Sequence, residues 1–357
     1  MTVFPWCVPR VRLASTAVLG ALLVASPSKA QTWDLTALHS FAGLTEDQWR
    51  AAAQGEVETR ILDAKHDREV AVVGLARLRA STACFLAQFR DIENFKKSPL
   101  VLQIHKLVPP VGPRDFEEFS LDARDLDDLA NCRVGSCAVK LPVRAMQRLD
   151  KEVAWSGPGH DQLARSIIRE ELLAYLKTYL ERGNPALIEY HDKSSPVPME
   201  REFRGILKAR PGLADLVPQF YEYILHYPAM ELQGVSEFFY WSLESFGLKP
   251  VASVTEVSIY SQVGSSHVGQ AVIASKQLYA SHYFDASMGL TVALDDPSEA
   301  PHPGMYLVYL NRSRIDLLTG IFGGLRRAIL HGRLREGMRN NLAEVVKKVE
   351  SKCEAYP

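Results

Sequence analysis

The last hundred residues carry the pattern that most restricts the fold of this chain. After Pro250, segments rich in β-branched and aromatic residues follow one another and are separated by turn-forming stretches, which is typical of an antiparallel meander. The chain then closes with one long helix, because apolar residues from Leu325 to Val349 recur at helical spacing along a single stripe. The sequence therefore predicts strands over 254–260, 271–284, 290–294 and 305–310, followed by an amphipathic helix.

The rest of the chain completes an α+β pattern. Residues 69–78 and 101–107 have strand character, 138–141 form a weaker strand pattern, and Ser81 or Thr82 is suited to cap a helix between the first two. The middle is helical in pattern, with apolar repeats over 163–180 and further helical segments near 200–209, 213–226 and 235–246. We predict a lead-in over 31–55, a first part of the sheet domain over 56–142, a helical insertion over 143–248, and a second part with the C-terminal helix over 249–357.

The first thirty residues have the layout of a cleavable secretory signal. Arg10 and Arg12 give a positive start, residues 13–25 form an uncharged apolar run, and Pro27 is followed by small residues up to Ala30. A membrane-spanning helix needs roughly 20 apolar residues, and this run is shorter. We therefore expect cleavage after Ala30 and a periplasmic or secreted protein.

Charge excludes one class of function. Loss of Arg10, Arg12 and Lys29 with the signal takes the formal net charge from −1 to −4. A chain so close to neutrality has no bulk attraction for nucleic acid. No later segment is long and apolar enough to span a membrane.

Four cysteines follow the predicted cleavage site. Cys132 and Cys137 flank Gly135, which permits a sharp turn, and an exported protein meets an oxidising compartment. We expect a local disulfide there, since a zinc site needs further Cys or His ligands close by. Cys84 and Cys353 either pair with each other or stay buried as small apolar residues.

The order of elements and one local segment resemble the START-like helix-grip superfamily. In Ala80–Phe95, small residues lead into a helix, and Asp91-Ile-Glu-Asn-Phe95 looks like the family's following bend. The terminal helix over 319–353 is the second likeness. The resemblance implies a curved antiparallel sheet that grips a long helix around an apolar cavity, with residues 143–248 as an insertion. It implies binding and no particular reaction, because the family has no invariant catalytic residue to carry over.

Two groups of side chains are candidates for ligand binding. Tyr279, Ser281 and Tyr283 alternate along the predicted strand 271–284, so they share one face, and their hydroxyl groups are suited to orient a ligand. Phe239 and Trp241 belong to the densest aromatic cluster, which on a helix must face two sides, either buried or at a cavity mouth or membrane interface. His282 lies on the opposite strand face, where a buried structural histidine is the simpler interpretation.

These observations predict a binding protein. We expect no metal or other cofactor, because no His pair stands at ligand spacing with a carboxylate. The predicted partner is a hydrophobic or lipid-like small molecule, and the arginines of the last helix either form a solvated face or contact anionic headgroups. Two rivals remain open: an envelope enzyme acting through His282 or a carboxylate, and an interaction protein that docks a partner on its helical insertion.

Overall fold

The computed structural model describes residues 33–209, 211–262, 269–296, 304–318 and 323–353. The predicted signal over 1–30 lies outside these ranges. In chain order, the strands are β1 (Glu58–Leu62), β2 (Glu69–Leu78), β3 (Val101–Leu107), β4 (Glu189–Tyr190), β5 (Val197–Pro198), β6 (Val235–Glu244), β7 (Val251–Gln262), β8 (Gln270–Ala280), β9 (Phe284–Asp296) and β10 (Gly304–Ile315).

Eight of these strands form one curved antiparallel sheet. Its order is β1-β2-β10-β9-β8-β7-β6-β3, so β1 and β3 are the edges, and β4 pairs separately with β5. Helices cover both faces, so β2 and β7 to β10 are buried along almost their whole length. The helices are α1 (Leu35–Ala42), α2 (Glu46–Ala53), α3 (Thr82–Arg90), α4 (Ile92–Phe95), α5 (Ala123–Leu129), α6 (Val143–Glu152), α7 (His160–Arg182), α8 (Met199–Lys208), α9 (Pro211–Leu216), α10 (Pro218–His226) and α11 (Gly323–Cys353).

One face of the sheet carries α3, α4 and the long helix α11. The Ser81 hydroxyl caps α3 by accepting from the Cys84 amide at 3.2 Å. Helix α11 lies directly on β2 at Gly74, where an added Cβ would stand 2.3 Å from Leu342 Cδ1. Glycine is therefore what allows the helix to approach the sheet so closely. The other face carries the remaining helices and the larger apolar core.

The predicted fold class is confirmed, because an antiparallel curved sheet, a long C-terminal helix and a helical segment between strands are all present. Local differences remain. The prediction of a helix over 235–246 is wrong, since 235–244 form β6, and 138–141 contain no strand. The helical segment consequently ends before residue 235, and the expected insertion boundary at 248 falls beyond β6.

Two cysteine pairs lie at disulfide distance. The Cys84 and Cys353 sulfur atoms are 2.01 Å apart and join the end of α11 to α3. Cys132 and Cys137 also pair, across a tight turn in which Gly135 adopts a left-handed conformation with φ of 86°. No helix within the described ranges is long and apolar enough to cross a membrane.

Candidate functional site

Apolar side chains pack closely in two large clusters within the described part of the chain. Apolar residues of α3 and α11, among them Phe85, Phe89 and Leu342, pack in one cluster against the sheet. The two best-formed pockets lie on the opposite side, one with almost no free volume and one of about 10 Å³ beside Arg312. A water molecule needs roughly 10–15 Å³. The cavity implied by the family resemblance is therefore not seen in these ranges.

The corner between β8 and β9 contains the first predicted group. The expected strand over 271–284 ends at Ala280, and 281–283 form a turn. Tyr279 and Ser281 are fully buried, whereas Tyr283 is partly exposed and adopts a left-handed φ of 62°. Ser281 Oγ accepts from the Ala252 amide at 3.0 Å, so this hydroxyl holds the corner together. Tyr279 packs in the larger core, whereas Tyr283 packs in a separate small cluster with Ile315, so the predicted group does not form a common face.

A buried ion cluster joins this corner to α5. His282 Nε2 lies 2.9 Å from Asp125 Oδ1, and Lys249 Nζ lies 3.3 Å from the same oxygen and also pairs with Asp128. Burial, followed by the charges of Asp125 and Asp192, raises the pKa of the Tyr279 hydroxyl. The phenol therefore stays protonated and does not act as a base near neutral pH. A carboxylate that orients a histidine is also found in acid–base sites, but here both groups are buried beneath the turn.

A second ion cluster anchors the helical layer to the sheet. Lys140 Nζ, which is buried, lies 2.9 Å from Asp285, 3.2 Å from Asp316 and 3.5 Å from Asp192. Burial tends to lower the pKa of Lys140, but these three carboxylates outweigh it and raise the pKa. Arg68 completes the cluster by pairing with Asp285. Because each charge has opposite partners, the cluster is suited to fix segments in place.

The second predicted group lies on β6. Phe239 and Trp241 both face the larger core and are buried, while Phe238 and Tyr240 face the opposite side of the sheet. Trp241 Nε1 donates to the Asp115 carbonyl at 2.7 Å. The aromatic residues contact two apolar surfaces, as predicted, but they do so by alternating along a strand and not by their positions around a helix. Neither predicted group reaches a ligand-sized space among the described residues.

Exposed apolar side chains instead gather where β3 begins and β6 ends. Leu100 and Leu102 are 54% and 51% exposed, and Phe246 and Leu248 in the turn between β6 and β7 are each 50% exposed. The Ser245 amide donates to the Leu100 carbonyl at 2.8 Å, so the two segments are adjacent. We call these four residues the tip patch. Contiguous exposed apolar surface is typical of sites that bind proteins or membranes.

The tip patch is held on a fixed support. Gly247 lies between Phe246 and Leu248 of the patch and has a φ of 79°, a left-handed conformation that favours glycine. The Lys249 amide donates to the Tyr283 hydroxyl at 3.1 Å, and the Phe246 ring centroid lies 6.4 Å from that of Phe284. The β8–β9 corner therefore supports the turn that contains Phe246 and Leu248. Tyr283, which the sequence predicts to bind a ligand, lies in this supporting corner.

Sequence reasoning missed Asp125, Lys249 and the tip patch. A Phe-Gly-Leu-Lys run between two strands is a weak signal, since apolar residues that flank a turn glycine have little room to be buried. Nothing in the sequence links that run to Leu100. In the described part of the chain, no group of three or more His, Cys, Asp or Glu side chains is arranged to hold a metal ion.

Comparison with known proteins yields no match: no family model, no curated protein and no solved structure is similar to this chain at a significant level. The START-like resemblance therefore rests on the sequence alone and stays a prediction.

Proposed function

We propose that the protein is an exported, non-catalytic binding protein whose lipid-like partner is a membrane surface contacted through the tip patch. The observation that carries the proposal is the exposure of Leu100, Leu102, Phe246 and Leu248 at one end of the sheet. Binding of a lipid inside the fold is less well supported, because the two pockets found among the described residues hold no more than about 10 Å³. The sequence predicts a hydrophobic or lipid-like small molecule inside the fold, so this proposal changes both the partner, to a lipid surface, and its location, to the outside of the fold.

The size of the patch suits reversible attachment. Full burial of a Leu or Phe side chain is worth about 1.5–3 kcal/mol, and these four side chains are already about half-buried. Insertion of all four should then yield about 3–6 kcal/mol before the costs of association. This free energy is enough for a peripheral protein to bind a membrane reversibly, and it is far below the free energy of inserting a membrane-spanning helix.

The first thirty residues and the cysteines support the exported half of the proposal. Residues 1–30 have the signal layout, and two cysteine pairs at disulfide distance suit an oxidising compartment. The START-like fold family belongs to the proposal as well, on the sequence resemblance over Ala80–Phe95 and 319–353.

Vesicle flotation tests the proposal. The protein that begins at Gln31 should float with phospholipid vesicles, and Phe246→Ser with Leu248→Ser should abolish flotation. Val108→Ser is the matched control, because Val108 is 66% exposed but follows the opposite end of β3. An unchanged flotation of the tip-patch variant, or no flotation of the parent protein, contradicts the proposal. A soluble complex with another protein that is lost with the same variant would favour the interaction protein instead.

A further inference from the structure

We propose that Lys276 and Asn184 form an intramolecular isopeptide bond, in which Lys276 Nζ replaces the side-chain amide nitrogen of Asn184 and Glu256 carries the protons. Ammonia is the product that leaves. Three buried side chains of complementary chemistry lie within hydrogen-bonding distance of one another where the helical layer meets the sheet. This modification does not depend on membrane binding.

Strand pairing and one turn bring the three side chains together. Lys276 on β8 stands directly opposite Glu256 on β7. Asn184 begins the turn that follows α7, and its backbone amide donates to the Tyr227 carbonyl at 3.1 Å. The preceding Gly183 has a φ of 65°, and an added Cβ there would stand 2.1 Å from the same carbonyl oxygen. A turn that requires glycine therefore fixes the backbone from which the Asn184 side chain reaches the sheet.

The geometry places a nucleophile, an amide carbon and a carboxylate next to one another. Lys276 Nζ lies 2.6 Å from Glu256 Oε2 and 3.0 Å from Asn184 Oδ1. Because Cγ is bonded to Oδ1 at about 1.2 Å, the 3.0 Å contact puts Nζ no more than about 4.2 Å from the carbon that it attacks. Reacting atoms about 3–3.5 Å apart are in near-attack range, so a small side-chain movement is sufficient.

The surroundings exclude water from this group. Lys276 and Asn184 are each 2% exposed and Glu256 is 3% exposed. Three aromatic rings surround Nζ with centroids 4.9 to 5.1 Å away, those of Tyr179, Phe203 and Tyr227. Burying an ion pair in such an apolar place costs free energy, whereas an amide there carries no charge. Exclusion of water also keeps away the competing nucleophile.

Glu256 is suited to move the protons. The Tyr179 hydroxyl donates to Glu256 Oε2 at 2.8 Å. Burial, followed by the charge of Glu256, raises the pKa of Tyr179, so this phenol stays protonated and remains a donor. The other oxygen, Glu256 Oε1, is buried and has no hydrogen-bond partner among the described residues. Buried carboxylate oxygens are normally paired, so Oε1 is available to take a proton from the lysine.

The reaction exchanges two bonds at one carbon and needs no oxidant or other reagent. Glu256 takes one proton from the Lys276 ammonium, and the neutral Nζ attacks Cγ of Asn184. The Nζ–Cγ bond forms. Glu256 passes its proton to Nδ2, the Cγ–Nδ2 bond breaks, and ammonia leaves. The carboxylate then takes a second proton from Nζ, so the buried ion pair becomes an uncharged amide and an uncharged carboxylic acid.

The amide of Asn184 is held in the orientation that this reaction needs. Its Nδ2 donates to the Ile224 carbonyl at 2.8 Å and to the Leu225 carbonyl at 3.0 Å, while Oδ1 faces Lys276. Both N–H groups are thus engaged, and the nitrogen lone pair is left to accept the proton. The next residue is Pro185, which has no backbone N–H, so Asn184 cannot lose ammonia by forming a succinimide with that nitrogen.

Mass spectrometry of the reduced, denatured protein tests the proposal. The parent protein should be lighter than its sequence requires by one ammonia. Proteolytic digestion should yield one branched peptide that contains both Lys276 and Asn184. Cyclisation of an N-terminal Gln31 also releases ammonia, so intact masses are compared only among variants that share this terminus.

Three variants separate the roles of the side chains. Lys276→Arg keeps the positive charge without an amine nucleophile, and Glu256→Gln keeps the size without a carboxylate that can take up the proton. Each should regain the mass of one ammonia relative to the parent, after allowance for the substitution. The matched control is Glu237→Gln, because Glu237 is a neighbouring carboxylate that accepts from Tyr223 and Ser258. This control should retain the ammonia loss.

Separate, unmodified peptides containing Asn184 and Lys276 from the parent protein overturn the proposal and leave an ordinary buried ion pair. This result is read from the parent alone, so the proposal stays testable even if a variant does not fold, which circular dichroism checks. Loss of water instead of ammonia would place the bond on a carboxylate, such as those around Lys140, and also overturns it. A branched peptide that persists in Glu256→Gln overturns the role of Glu256.

Discussion

Removal of the Cys84–Cys353 disulfide is the sharpest stability test of this structure. The bond closes a loop whose ends are 269 positions apart, whereas Cys132 and Cys137 are separated by 5. In the chain-entropy model, cross-linking stabilises by restricting the unfolded chain, and the effect grows with the logarithm of loop length. The long loop should contribute about 5–6 kcal/mol and the short loop about 2 kcal/mol.

We therefore predict that replacing Cys84 and Cys353 by Ser lowers the free energy of unfolding by several kcal/mol, and that replacing Cys132 and Cys137 lowers it by about 2 kcal/mol or less. Equilibrium urea unfolding followed by circular dichroism measures both under the same conditions. The long-loop pair also joins the end of α11 to α3, so its loss should expose that end to hydrogen exchange first. Equal destabilisation by the two double variants, or a larger effect from the short loop, would refute the reasoning.

Three further predictions follow from local contacts and the N-terminus. Gly74→Ala should lower the free energy of urea unfolding by about 1–3 kcal/mol, because its Cβ would meet Leu342 Cδ1 at 2.3 Å. Leu342→Ala should suppress the effect of Gly74→Ala. Independent, additive losses from the two substitutions would contradict this prediction. Burial tends to raise the pKa of Glu244, but the Lys96 ammonium 2.7 Å away and the Ser242 hydroxyl outweigh it and lower the pKa. The stabilisation that ionised Glu244 gives the folded state is therefore fully present above the unfolded carboxyl pKa, near 4.3, and is lost as pH falls through the lowered folded value. Acid titration of stability should therefore be shallower in Glu244→Gln, and identical titrations would contradict this. Intact mass of protein from the native host should correspond to a chain that begins at Gln31, and a retained leader would contradict export by cleavage.

The elements that sequence predicts well have one clear period. Strands cover the predicted 254–260, 290–294 and 305–310 and most of 271–284, the striped helix extends past Val349, and Ser81 caps α3 as its side chain suggests. Residues 235–244 were harder, because Phe238 to Trp241 are apolar on both faces of a strand buried on both sides. Such a continuous run has no alternation, so its period cannot distinguish it from a buried helix.

The candidate site was less accessible to sequence reasoning than the fold. The turn at 281–283 contains neither glycine nor proline, and Tyr283 adopts a conformation that few tyrosines adopt, so the strand appeared to continue. His282 and Asp125 are 157 positions apart. Leu100 and Ser245 likewise meet only because β3 pairs with β6. Contacts between such distant positions depend on strand order, which local patterns do not specify.

The depth to which residue 246 enters a bilayer tests the central claim most directly. Phe246→Trp places an indole on the tip patch, and Val108→Trp places one at an exposed position away from it. The background consists of the buried Trp33, Trp49 and Trp241 and the partly exposed Trp155. Quenching by phospholipids brominated on their acyl chains reports contact with the bilayer interior. The account predicts strong quenching of Trp fluorescence in Phe246→Trp and none beyond the parent protein in Val108→Trp. Equal quenching in the two variants, or none in either, would contradict membrane binding through the tip patch.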